Sequence, residues 1–112
     1  MSASPEDAVD RQLRAYNARD IDAFASCYAD GIVILDADGN ELLRGRDALQ
    51  ARYRALFEAS PDLHGEVTTR LRTGRFVVDE EHVTGRPQGE LRAIAVYRIG
   101  DDGLIERVQF LM

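Results

Sequence analysis

Residues 75–85, RFVVDEEHVTG, constrain this chain more than any other stretch. Gly74 and Gly85 bracket it, and Phe76, Val77, Val78, Val83 and Thr84 favour extended backbone, so it predicts a strand. Its centre nevertheless reads Asp79-Glu80-Glu81-His82. Successive side chains of a strand point to opposite faces, so at least one carboxylate goes to each side. One face carries Val77, Asp79, Glu81 and Val83; the other carries Phe76, Val78, Glu80, His82 and Thr84. If either face packs on a core, ionisable groups go with it. They must then lie at a frayed end or line a polar pocket, because burying an unpaired charge is costly.

The rest of the chain supplies the core. Ser4-Pro5-Glu6-Asp7 is a helix start, with a capping serine, proline in the first turn and acids at the positive end. Ala8, Val9, Leu13 and Tyr16 recur at helical spacing to about Arg19. Asp20 caps a second, short helix whose stripe is Ile21, Phe24, Ala25 and Tyr28. Residues 32–35 form a compact apolar strand ending at Asp36, Asp38-Gly39-Asn40 is a turn, and residues 41–44 return as a second strand. A third helix starts at Gly45-Arg46-Asp47, carries Leu49, Tyr53, Leu56 and Phe57, and closes at Ser60-Pro61. Strands follow over residues 63–73, 75–85, 90–99 and 104–111, with turns at Thr73-Gly74 and Gly100-Asp101-Asp102-Gly103. Three helices placed early and four consecutive antiparallel strands predict a single α+β domain over residues 1–112, its helices packed on one sheet face.

Composition excludes several classes. The net charge is −6, the 14 basic residues are all arginine and scattered, and no basic cluster exists, so a nucleic-acid partner is not expected. No apolar run is long enough to span a membrane, and the acidic opening MSASPEDAVD lacks a signal peptide's hydrophobic region. The lone Cys27 lies in an apolar helical pattern and reads as a core thiol. These features point to the cytoplasm. No His, Asp and Glu spacing matches a metal site, and phosphate-loop and dinucleotide signatures are missing, so no cofactor is expected.

Several segments together resemble the NTF2-like superfamily, in its SnoaL-like and ketosteroid-isomerase-like branch. Residues 16–24, YNARDIDAF, resemble the bend between the first two helices of that superfamily, and Tyr28-Ala29-Asp30-Gly31 resembles the motif before its first strand. Gly45-Arg46-Asp47-Ala48-Leu49 resembles the start of its third helix, and residues 96–108 its last hairpin. The resemblance implies an α+β cone, with three helices packed on a curved, mostly antiparallel sheet that encloses a cavity. It also implies a homodimer through the outer sheet face, where Arg92, Ile94, Val96 and Arg98 would lie. Carried over residue by residue, it implies Asp36 as general base and Tyr53 as part of a hydrogen-bond network, while the positions of the isomerases' two oxyanion donors read Gln12 and Ala95. Anchoring on Gly85 turns Asp79 and Glu81 toward the cavity and Glu80 and His82 away.

The candidate catalytic residues are therefore Asp36, Glu81 and Tyr53; Gln12, Tyr16, Asp79 and Tyr97 are candidate substrate contacts. Each has a structural alternative. Asp36 also reads as the first residue of a turn, Glu81 as the partner of an arginine such as Arg92, and the tyrosines as packed core. His64 reads as a surface residue and His82 as exposed or at an interface. The expected activity is cofactor-independent proton transfer, of isomerase, cyclase or dehydratase type, on a small apolar carbonyl or hydroxyl compound. The alternative is a non-catalytic binding or dimerisation module.

Overall fold

The computed structural model describes residues 4–112; residues 1–3, the start of the segment read as lacking a signal peptide, lie outside it. Its elements are α1 (Pro5–Ala18), α2 (Ile21–Ala25), β1 (Tyr28–Leu35), β2 (Glu41–Arg44), α3 (Arg46–Ala59), β3 (His64–Thr73), β4 (Phe76–Thr84), β5 (Leu91–Ile99) and β6 (Ile105–Leu111). No helix among the described residues is long and apolar enough to cross a membrane.

Local chemistry explains the helix boundaries. Pro5 opens α1, and the Ser4 backbone N–H donates to the Asp7 carboxylate at 3.0 Å. Arg19 ends the helix in a left-handed conformation (φ 54°). Asp20 then caps α2 by accepting from the Ala23 N–H at 3.1 Å. Asn17 ties this bend to the sheet: Gly65 N–H donates to its Oδ1 at 2.7 Å, and its Nδ2 donates to the Gly65 carbonyl at 3.0 Å.

The six strands form one open mixed sheet in the order β2-β1-β6-β5-β4-β3. The pairings from β6 to β3 are antiparallel, as the run of consecutive strands predicts, whereas β1 lies parallel to β6. β1 also begins earlier than the apolar run at residues 32–35, because Tyr28 already pairs with Ile105. The inner face buries Val77, Val83, Ala95, Tyr97, Ile99, Ile105 and Val108 against Ala8, Val9, Phe24, Leu49 and Phe57 of the helices. Arg92, Ile94 and Arg98 lie exposed on the other face. Gly85 ends β4 at φ +81°, and a Cβ there would lie 2.2 Å from the Asp62 carbonyl oxygen, so only glycine fits this approach.

The β3–β4 hairpin sets the register of the acidic strand. Thr73 pairs with Phe76, and counting outward places Arg70 directly opposite Asp79. Asp79 is fully buried, and Arg70 grips it with two bonds, Nε to Oδ1 at 2.7 Å and Nη2 to Oδ2 at 3.0 Å. Arg70 Nη1 reaches Asp10 of α1 at 2.7 Å, so one guanidinium joins two strands and a helix. Asp79, expected as a substrate contact, is instead engaged through both carboxylate oxygens in this ion pair.

Removing Arg70 strands a buried charge. Arg70→Met is expected to lower stability by about 3–5 kcal/mol in urea denaturation, whereas the Arg70→Met/Asp79→Leu pair, which removes both charges, regains most of that loss.

Candidate functional site

A cavity of about 460 Å³ lies between the helices and the inner sheet face. Its wall includes Gln12 and Tyr16 of α1, Tyr53 of α3, Glu81 of β4 and Tyr97 of β5, with Leu56, Val83, Leu91 and Phe110 supplying apolar surface. Tyr16, Phe24, Tyr28, Tyr53 and Phe57 form an aromatic cluster whose closest rings, Phe24 and Tyr53, have centroids 4.7 Å apart.

Glu81 is the one side-chain carboxyl among the described residues lining this wall. Register explains why it has no cation. A bulge at Thr68 shifts the β3 pairing by one residue, so Glu81 faces Val67 on one side and Ala93 on the other. Neither neighbour can pair with a carboxylate, and Arg92, the arginine expected as its partner, pairs opposite His82 and lies exposed. Glu81 forms no ion pair among the described residues. It is instead bonded by a chain of neutral groups. Tyr97 OH donates to Oε2 at 3.1 Å, Gln12 Nε2 donates to the Tyr97 oxygen at 3.3 Å, and Tyr28 OH donates to Gln12 Oε1 at 3.2 Å.

Burial pushes the Glu81 carboxyl up from 4.5 to about 7, and the nearby Asp79 charge adds to the rise. The Tyr97 hydrogen bond and Arg70 oppose it without cancelling it. The phenols respond in the same direction. Burial raises Tyr28 and Tyr97 well above the usual range and Tyr53 to about 12, with Glu81 adding in each case. Burial, then the neighbouring Tyr53 and Glu81, also raises Tyr16. All four therefore stay protonated donors near neutral pH. The Tyr16 and Tyr53 hydroxyls make no hydrogen bond to the described residues, so they remain free to donate to a bound oxygen.

The structure separates the remaining candidates. Asp36 lies outside the cavity in the β1–β2 turn, where it accepts from the Asp38 and Asn40 backbone N–H groups at 3.0 and 2.8 Å and from the Asn40 side chain at 3.3 Å. These bonds, with the Asn40 backbone bond foremost, hold its carboxyl below the usual range. Asp36, expected as general base, thus has the geometry of its turn reading and does not line the cavity with Glu81. Gln12 and Tyr97 line the cavity; they are bonded to one another, and Tyr97 is bonded to Glu81. His64 is exposed, and His82 pairs with Glu90 away from the cavity. Cys27 is buried in the core, and burial raises its thiol. Among the described residues no group of His, Cys, Asp and Glu has the arrangement of a metal site.

Two participants escaped the sequence reading. Arg70 was legible in principle, because counting back from the Thr73-Gly74 turn puts it opposite Asp79. Tyr28 fits the helical stripe begun by Ile21 and Phe24, yet it opens β1 and its hydroxyl forms the far end of the hydrogen-bond chain that reaches Glu81 through Gln12 and Tyr97. Nothing in its local sequence signals that role.

A family model described as a SnoaL-like domain matches residues 9–108. Among solved structures, an uncharacterized cystatin fold protein from Novosphingobium aromaticivorans superposes with a TM-score of 0.88 at 25% identity, covering 99% of this chain and 100% of that one. A SnoaL-like protein of unknown function from Burkholderia thailandensis gives 0.76 at 26% identity, covering 95% and 92%. A putative polyketide cyclase from Sinorhizobium meliloti gives 0.78 at 22% identity, covering 96% and 99%. No match was found among curated proteins. The α+β cone expected from the sequence is the fold observed.

The raised Glu81 carboxyl makes stability depend on pH. The folded state holds this proton more tightly than the unfolded chain does, so the contribution is complete below about pH 4.5 and is lost as pH rises toward 7. At about 1.4 kcal/mol for each pH unit, the loss is on the order of 3 kcal/mol. Glu81→Gln removes it, so the stability difference between variant and parent is expected to tilt toward the variant across that window, measured by urea denaturation at several pH values. The Glu81 side-chain carbon should titrate by NMR with a midpoint near 7; a midpoint near 4.5 contradicts the buried, unpaired carboxyl.

Proposed function

This chain belongs to the SnoaL-like domain family, and we propose that its cavity binds a small, mostly apolar carbonyl or hydroxyl compound and moves a proton on it without a cofactor. The observation that carries this reading is the Glu81 carboxyl, unpaired on an apolar wall and held near the pH at which it can both take and return a proton. Tyr97 occupies Oε2 and leaves Oε1 without a protein donor among the described residues. Ionised Glu81 takes a proton from the carbon next to a substrate carbonyl. The Tyr16 and Tyr53 hydroxyls donate to the carbonyl oxygen as charge develops there, the role that the missing isomerase donors would otherwise fill. Protonated Glu81 then returns the proton to a second carbon in an isomerisation, or to a departing hydroxyl in a dehydration. Gln12 and Tyr28 hold Tyr97, and through it the carboxylate, in one orientation.

The second reading is a binding module. It is favoured by one observation: Asp36 and Asp79 are occupied by a turn and an ion pair, so Glu81 has no partner carboxyl in the cavity. Protonated Glu81 would then donate a hydrogen bond to a ligand without chemistry following. The outer sheet face, where Ile94 stands exposed between the arginines Arg92 and Arg98, is proposed as a homodimer contact, to be checked by sedimentation.

Proton exchange separates the readings. In D₂O with a panel of small aryl and cyclic ketones, the protein is expected to exchange α-protons faster than buffer, with a rate rising through about pH 7. Glu81→Gln should lower it at least about 100-fold. Tyr97→Phe should move the midpoint upward, because the lost hydrogen bond stabilised the charged carboxylate. Exchange at the buffer rate across the panel, together with ligand-dependent shifts in melting temperature, would leave the binding module as the function.

A further inference from the structure

The cavity also carries two guanidinium groups that the proton-transfer scheme does not use. Arg52 comes from α3, and Arg86 comes from the β4–β5 connection just after Gly85; both line the cavity. Arg52 is exposed and Arg86 half-buried, which puts them toward the rim. They are the two arginines among the described residues of the cavity lining. Acidic residues outnumber arginines 20 to 14, and Arg44, Arg46, Arg70, Arg72, Arg75 and Arg98 each pair with a carboxylate. Arg52 and Arg86 form no ion pair among the described residues.

Arg86 is nonetheless held in place. Its Nε donates to the Gly89 carbonyl at 3.0 Å, which orients the guanidinium and leaves both terminal nitrogens for another acceptor. The two charges bear on adjacent parts of the wall. Arg86 acts on Tyr16 and Arg52 on Tyr53, in each case opposing the effect of burial, and the two tyrosine rings lie 6.4 Å apart. Positive charge thus sits at the rim of an apolar cavity whose proton-transfer group lies further in. An acidic protein that repels anions elsewhere has a local reason to admit one here.

We propose that the ligand of this cavity is a small apolar carboxylic acid, its carboxylate held at the rim by Arg52 and Arg86 and its carbonyl or hydroxyl group directed inward to Tyr16, Tyr53 and Glu81. This rests on the reading of the cavity as a ligand site. A carboxylate suits the pair because its two oxygens match the planar donor fork of a guanidinium. It also gives the ligand a polarity of its own, so that the reacting end enters first and the charged end stays near water.

The test uses benzoylpropionate and its methyl ester, which share an apolar ketone skeleton and differ in charge. Binding is measured by calorimetry, and α-proton exchange on both compounds is followed alongside it. The acid is expected to bind at least about tenfold more tightly than the ester at low salt. Arg52→Gln and Arg86→Gln are each expected to weaken the acid about fivefold and leave the ester unchanged, while Arg86→Lys keeps part of the preference. Melting curves without ligand establish that each variant is folded; if Arg86→Gln is not, Arg52→Gln and Arg86→Lys decide the matter. Equal binding of acid and ester, variants that weaken both alike, or binding of neither overturns the inference. Exchange on the ester that depends on Glu81 would then show the proton-transfer reading standing without it. Arginine-dependent binding of the acid with no exchange would support the anion site and reject proton transfer.

Discussion

The ion pair between Arg70 and Asp79 is the constraint on which the rest of the site depends. Two carboxylates, Asp79 and Glu81, point inward from the same face of β4. Left alone, two buried like charges on adjacent inward positions would oppose folding or force the strand to slip. Arg70, directly across the hairpin, neutralises one of them with two short bonds and reaches Asp10 with a third. That arrangement exists only in one register. A slip by one residue would expose Asp79 and Glu81 and bring Glu80 and His82 to the core. The same pairing that stabilises the strand therefore determines which acidic group meets the cavity.

Glu81 is the complement of that solution. The Thr68 bulge puts Val67 beside it, and β5 offers Ala93, so the sheet supplies no cation. Local consistency fails here: a carboxyl group sits in an apolar wall with only a phenol to bond it. Such a conflict raises the carboxyl into the neutral range and makes the site less stable than a hydrophobic replacement would be. Desolvation creates this poise, and the Tyr28–Gln12–Tyr97 chain limits it by stabilising the ionised form from one side. The chain links α1, β1 and β5, so the orientation of the carboxylate depends on the whole cone being assembled.

Much of the architecture was legible in short-range signals. Pro5, Asp20 and the Gly100–Gly103 turn mark element ends through backbone chemistry that needs no tertiary partner. Alternation in residues 91–99 placed Ala93, Ala95 and Tyr97 inward, and Gly85 anchored the face of β4. The role of Asp36 was not legible in the same way. An aspartate at the end of a strand satisfies both a turn and a base, and only the backbone N–H groups of Asp38 and Asn40 converging on it distinguish the two.

What the sequence by itself determined was the alternation of β4, hence that Asp79 and Glu81 share a face, and the α+β order that supplies a core for that face. Those are properties of neighbouring residues and of strand geometry. Only the tertiary structure decided that the two carboxylates differ. Arg70 comes from across a hairpin, the Thr68 bulge displaces the next pairing, and Gln12 and Tyr28 arrive from elements far away in the chain. Whether a buried acid is a strut or a proton carrier depends on which groups stand within a few ångströms of it, and that is a property of packing rather than of order along the chain.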